Sequence, residues 1–224
     1  MRMLRVMETD TSRYPDSIGV FLAPAEYVDS DNTDIQAHAG RLATGRTPRH
    51  ALIEIFRFVR DIPYGAPDFD RLASFRASDL ISRGRGYCVP KACALAALAR
   101  AAGMPARLGF ADVSNHLASP RTVELMGSRT FAWHGYTEVL LDGRWIKLSP
   151  TFDAELCTRM GVPVLEFDGV ADAHLPAFDP SGRTFMQYER LHGEFHDVPA
   201  RFLANEMPRL YPRMCAAIRA GVVH

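Results

Sequence analysis

Apolar residues at Leu52, Ile55, Phe56 and Val59 recur at three- and four-residue intervals, the spacing of one stripe along a helix. Thr47-Pro48 offers an N-cap followed by proline in the first turn, and Ile62-Pro63 stops the run. A short helix is expected from Ser78 to Arg83, with Gly84-Arg85-Gly86 as a flexible break behind it. The stretch from Cys88 to Ala102 differs in kind. Ala and Leu dominate it, Lys91 and Arg100 are its only charges, Pro90 suits its first turn, and Gly103 with Pro105 ends it. A helix that is apolar nearly all round has to be wrapped on most sides, so this one is predicted to be the buried centre of the fold.

Beyond Ala106 the period shortens to two. Arg107 to Val113 reads as a strand, and Phe131 to Leu141 with Arg144 to Leu148 reads as a hairpin turning at Asp142-Gly143. A two-residue turn there sets His134 opposite Thr151 and Glu138 opposite Lys147, and the opposite charges of the second pair support that register. His134, Tyr136, Glu138, Lys147, Ser149 and Thr151 then share one face. A central helix feeding an antiparallel sheet makes the fold class α+β. The prolines after residue 157 (Pro163, Pro176, Pro180, Pro199, Pro208 and Pro212) predict short helices and irregular chain wrapping the core. One domain over 1–224 is expected, with a core of about 35–156 and a C-terminal extension over 157–224.

Composition narrows the chemistry. The 224 residues carry 26 Lys+Arg against 26 Asp+Glu and no long basic run, which argues against nucleic acid as a partner. Met1 to Thr9 lacks the apolar core of a secretory signal, and Ala92 to Ala99 is too short to span a bilayer. A cytoplasmic, reduced protein with no membrane partner is expected. Its four cysteines, Cys88, Cys93, Cys157 and Cys215, contain no CxxC pair, so free thiols are expected rather than a disulfide framework or zinc knuckle.

Cys88 stands out because it opens the central helix, where unpaired N–H groups and the helix dipole favour an anion. A thiol there is expected to ionise readily, with Lys91 on the same face adding to the effect. Cys93, five residues on, faces about 140° away and reads as packing, as do Cys157 and Cys215. His134 is the natural partner, since a thiol nucleophile needs a base that takes its proton and later returns it to a leaving group.

These residues carry a resemblance. Gly86-Tyr87-Cys88 opening the Ala-rich helix, then Trp133-His134-Gly135-Tyr136-Thr137-Glu138-Val139, then Trp145 and Pro150-Thr151, with Asp61-Ile62-Pro63-Tyr64 upstream, resemble the transglutaminase-like superfamily over about Arg49 to Asp153. The resemblance implies a papain-like α+β core, a Cys-His-Asp triad with Cys88 as nucleophile and His134 as base, a peptide or protein amide as substrate, and no cofactor or metal. The family places an aspartate before the Pro-Thr, where this chain has Ser149. Asp153 is expected to orient His134 instead, reaching back if the chain bends after Pro150; Ser149 or a water-filled gap is the alternative. The oxyanion hole would use the Cys88 N–H, with Tyr64 as a candidate second contributor or merely a core tyrosine.

The expected activity is therefore acyl transfer on amide bonds through a thioester at Cys88, of peptidase, amidase or transglutaminase type. The Ser149 departure leaves a second reading, an inactive peptide-binding module that keeps the groove. His192 and His196 have the i, i+4 spacing of a metal pair, but Gly193 weakens a helix there, HExxH is absent, and surface histidines are the better reading. Phe56, Phe58, Phe110, Phe131 and Trp145 read as core.

Overall fold

The computed structural model describes residues 16–223, so the stretch Met1 to Thr9 read above for a secretory signal lies outside it. The chain runs through α1 (Asp16–Gly19), α2 (Thr33–Ala43), α3 (Pro48–Asp61), a 3-10 turn at Leu72–Phe75, α4 (Ala77–Arg83), α5 (Cys88–Ala101), β1 (Ala106–Asn115), α6 (Pro120–Met126), β2 (Thr130–Leu141), β3 (Arg144–Leu148), α7 (Ala154–Met160), β4 (Met186–Phe195), α8 (Ala200–Leu210) and α9 (Pro212–Arg219). Polar caps start several of these helices. Asn32 Oδ1 accepts the Asp34 N–H at 2.9 Å ahead of α2, and Thr47 Oγ1 accepts the His50 N–H at 3.4 Å ahead of α3, with Pro48 in the first turn.

Every residue of α5 from Val89 to Ala101 is buried, as its all-round apolar surface demands. It lies between α2, α3 and α4 on one side and β1 and β2 on the other. Its two charges stay inside because backbone carbonyls receive them. Arg100 donates to the carbonyls of Ala106, Ala23 and His196 at 3.0, 2.7 and 2.6 Å. Phe56 and Phe110 sit in the same core.

The sheet is antiparallel in the order β3-β2-β1-β4. Glu138 pairs with Lys147 as expected, and the turn takes positive φ at both Asp142 (51°) and Gly143 (78°), the requirement of a two-residue type I′ hairpin. A bulge in β2 sets Ala132 and Trp133 opposite the single residue Asp112 of β1, and Trp133 takes a φ of +59°. On the outer side of β3, an extended segment adds a parallel bridge from Ala173 to Leu148. Ser149 N–H donates to the Ala173 carbonyl and Ala173 N–H to the Lys147 carbonyl, both at 2.8 Å.

The segment after residue 157 is more regular than its prolines suggested. It supplies β4, which pairs with β1 and completes the sheet, and the helices α8 and α9. Two register shifts and Gly193, at φ +93°, break the alternation of β4, which is why no period of two shows there.

Candidate active site

Cys88 reaches the first turn of α5 by a tightly specified approach. Gly84 closes α4 in the left-handed region (φ +64°), and Gly86 leaves no room for a side chain, since a Cβ there would lie 2.4 Å from Leu80 Cδ1. Gly86 pairs in parallel with Tyr64, through Gly86 N–H to the Pro63 carbonyl and Gly65 N–H to the Gly86 carbonyl, both 3.1 Å. Of the four free thiols, Cys88 is half-exposed and the other three are buried.

Burial pushes the Cys88 thiol up to about 11 from an ordinary value of 9.0. The backbone N–H groups of Gly135, Val89 and Cys88 itself pull the other way, and Lys91 pulls after them. The expected early ionisation is therefore not a property of the resting site, because desolvation outweighs the helix terminus. Lys91 also differs from expectation. Its ammonium is buried away from the sulfur, donating to the carbonyls of Arg60, Ile62 and Thr151 at 2.9, 2.7 and 3.0 Å. It ties the end of α3 and the chain beyond β3 to α5.

Gly135, the residue after His134, packs against Val89 in the first turn of α5, and its N–H favours the Cys88 thiolate. The close approach depends on the missing side chain: a Cβ at 135 would stand 3.1 Å from Val89 Cα and 3.3 Å from its Cγ2. Gly135→Ala is accordingly expected to push back the first turn of α5 and slow alkylation of Cys88 about tenfold, with only a few degrees' change in melting temperature. Unchanged alkylation would show that this contact does not govern the sulfur.

His134 is buried, and its Nε2 has no hydrogen-bond partner. Burial, helped by the nearby His174, lowers its pKa from 6.5 to about 4, so the imidazole is neutral at physiological pH. The preceding Trp133 holds its left-handed backbone, which costs about 1–3 kcal/mol in a non-glycine residue, through two contacts. Its N–H donates to Asp112 Oδ1 at 3.1 Å, and its ring stacks on His192 with centroids 3.9 Å apart and planes 7° off parallel. His192 in turn bonds Asp112 Oδ1 through Nε2 at 2.7 Å. This is no surface histidine, as its side chain is only 9% exposed. It lies in β4 and braces Trp133, and no cluster of three metal-ligating side chains occurs among the described residues.

Asp153 is not placed as an orienter of His134. It is the N-cap of α7: Oδ1 accepts the Leu156 N–H at 3.0 Å and Oδ2 accepts the Tyr64 N–H at 2.7 Å. Burial would raise its pKa, but the Leu156 and Tyr64 N–H groups and the Lys91 charge outweigh burial and hold it below the ordinary carboxylate value. The signal was present in the sequence, since Asp153 precedes the helix-forming run Ala154-Glu155-Leu156 that Gly161 stops. Asp153 instead fixes the backbone of Tyr64, whose ring lies against Phe152 with centroids 5.9 Å apart. The Tyr64 hydroxyl is held protonated, first by burial and then by the neighbouring Cys88.

Near His134 the structure brings Tyr188 and His174, which sequence reasoning had not joined to it. His174 Nδ1 is buried without a partner, and Ser149 lies close to the buried Tyr188 hydroxyl. The Tyr188 ring meets those of His134 and His174 edge-on, with centroids 6.3 and 5.6 Å away.

The chain matches no curated protein. Among solved structures it is similar to a proposed cysteine protease from Cytophaga hutchinsonii, at 18% identity and a TM-score of 0.48 over 83% of this chain and 56% of that one. It is also similar to the periplasmic domain of TgpA from Pseudomonas aeruginosa, at 21% identity and a TM-score of 0.42 over 61% and 47%. The chain thus spans about half the length of these two. The sequence profile of the transglutaminase-like superfamily matches residues 36–150, just over half of the 224 residues. With the antiparallel sheet packed on a buried helix, that match means that the chain belongs to the transglutaminase-like superfamily.

Proposed function

We propose that this protein is a cysteine-dependent acyl-transfer enzyme acting on amide bonds of peptides or proteins, with Cys88 as nucleophile and His134 as base. The observation that carries this reading is the close packing of β2 at Gly135, the residue after His134, on Val89, the residue after Cys88. At rest both groups are neutral, so the thiol proton passes to His134 as sulfur attacks the carbonyl carbon. The developing oxyanion is met by the N–H of Cys88, the departing amine takes the proton from His134, and water or an amine then resolves the thioester. In this scheme Asp153 shapes the cleft through Tyr64 rather than orienting the base. No metal or organic cofactor enters it.

Incubation with mixed peptide and glutamine donors is expected to leave an acyl adduct on Cys88, visible by mass and released by hydroxylamine. Amide turnover that survives Cys88→Ala would overturn the reading. A peptide-binding module that keeps the groove is the second reading, favoured by the raised thiol and by Ser149 in place of a carboxylate. It requires saturable peptide binding with no adduct from any donor.

The neutral resting pair has its own measurable signature. With its pKa near 11 instead of 9.0, Cys88 should alkylate with iodoacetamide on the order of a hundredfold more slowly at pH 8 than an ordinary thiol. The rate should climb through pH 10 with no plateau at low pH. Rapid labelling below pH 7 would instead mean a resting thiolate–imidazolium pair.

A reducing compartment, such as the cytoplasm, suits four free cysteines. No helix among the described residues is long and apolar enough to cross a membrane.

A further inference from the structure

A general base is useful only if its second nitrogen is held, because that bond fixes the tautomer and steadies the imidazolium. His134 Nε2 is sealed in the interior without a partner, which leaves Nδ1 for the reacting groups. The Asp153 carboxylate is committed to two backbone N–H groups. The acceptor must come from elsewhere.

His174 is carried to the right place by the extended segment on the outer side of β3. The Ala173 bridge fixes the backbone immediately before it beside Ser149. Its ring packs edge-on against Tyr188, the tyrosine that also contacts the His134 ring, and against Tyr136 at 6.2 Å. Burial lowers the His174 pKa, Asp172 and Glu138 pull it up and Lys147 adds to the lowering, and His174 is the titratable neighbour that acts on His134.

The two imidazoles are complementary in their unused atoms. His174 Nε2 lies 3.7 Å from Asp172 Oδ2, longer than a hydrogen bond but close enough for the carboxylate's charge to favour a proton on Nε2. That tautomer makes Nδ1 an acceptor, and Nδ1 is the buried atom left without a partner. His134 protonated at Nε2 has a donor in the same condition. The hydroxyls of Ser149 and Tyr188, also buried, furnish the further contacts that a single bridging water needs.

We propose that His174 is the positioning residue of this site: it accepts the His134 Nε2 hydrogen across one bridging water, while the Asp172 carboxylate beside His174 Nε2 favours the tautomer that leaves Nδ1 free to accept. The line Asp172–His174–His134 then does with a second imidazole what a carboxylate at position 149 would do alone. Ser149 and Tyr188 also offer hydroxyls, but of these neighbours His174 is the one with a carboxylate beside its far nitrogen. This inference rests on the Cys88–His134 reading, yet the histidine link can be measured without turnover.

The test is long-range proton–nitrogen NMR on the protein labelled at histidine nitrogens. His134 is expected as the Nε2–H tautomer in the wild type, to lose that preference in His174→Phe, and to regain it in His174→Gln, whose side-chain oxygen accepts a hydrogen bond. Asp172 is accessible, and an asparagine would still accept the Lys147 N–H through Oδ1. Asp172→Asn should therefore leave the fold intact but shift the His174 nitrogen resonances. With a turned-over donor in hand, His174→Phe should lower kcat about thirtyfold at unchanged KM, with Ser149→Asp partly restoring it. An unchanged His134 tautomer in His174→Phe, or unshifted His174 nitrogens in Asp172→Asn, overturns the proposal. If the tautomer shifts as expected while no donor acylates Cys88, the histidine link stands and the proposed acyl-transfer function fails.

Discussion

Lys91→Met is expected to destabilise the protein by about 3–5 kcal/mol, because it removes the only donor that three buried carbonyls share while nearly preserving side-chain length. The carbonyls of Arg60 and Ile62 come from the end of α3, where a helix leaves its acceptors unpaired, and that of Thr151 comes from the chain just beyond β3. Burial lowers the ammonium from 10.5 to about 8, against the pull of Asp153 and Asp61. It therefore remains charged at neutral pH, and the carbonyls depend on it. Losing it also removes the cation that helps hold Asp153 ionised at the start of α7. A drop of roughly 10 °C or more in melting temperature is the expected readout. A variant that melts within two degrees of the wild type would mean that water reaches these carbonyls and that the tie is dispensable.

The second large effect is chemical. His134→Ala should slow acylation of Cys88 by about a thousandfold, within the hundredfold to ten-thousandfold range of a positioned general base. It should leave the fold standing, since the imidazole is held neutral and its Nε2 makes no direct hydrogen bond to another protein group. Stopped-time acylation followed by mass, at saturating donor, measures this directly. A rate within tenfold of the wild type would show that the sulfur attacks without the imidazole.

Where the determinants are local, the sequence was readable. The stripe from Leu52 to Val59 gave α3, the lack of any polar stripe gave the burial of α5, and Asp142-Gly143 with the Glu138–Lys147 pair gave both the hairpin and its register. Strand parity failed at Asp153, because a short side chain ahead of a helix-forming run is claimed first by the nearest N–H groups. Helical spacing likewise put Lys91 on the face of Cys88, yet four methylenes let its charge go to wherever three carbonyls converge. His174 gave no signal of its own, since its position depends on a parallel bridge to a strand laid down some twenty-five residues earlier. β4 was hidden by its bulges, and the left-handed Trp133 by the need to know where β2 bulges against β1.

The stack of His192 on Trp133 has a consequence for how the molecule can be divided. The 36–150 stretch that the superfamily profile matches contains both proposed reactive residues, but not the aromatic clamp that keeps the chain bent just ahead of the base. A fragment ending near residue 150 would keep its nucleophile and its base and still lose the brace on that bend. The half of the chain that would react borrows its rigidity from the half that would not.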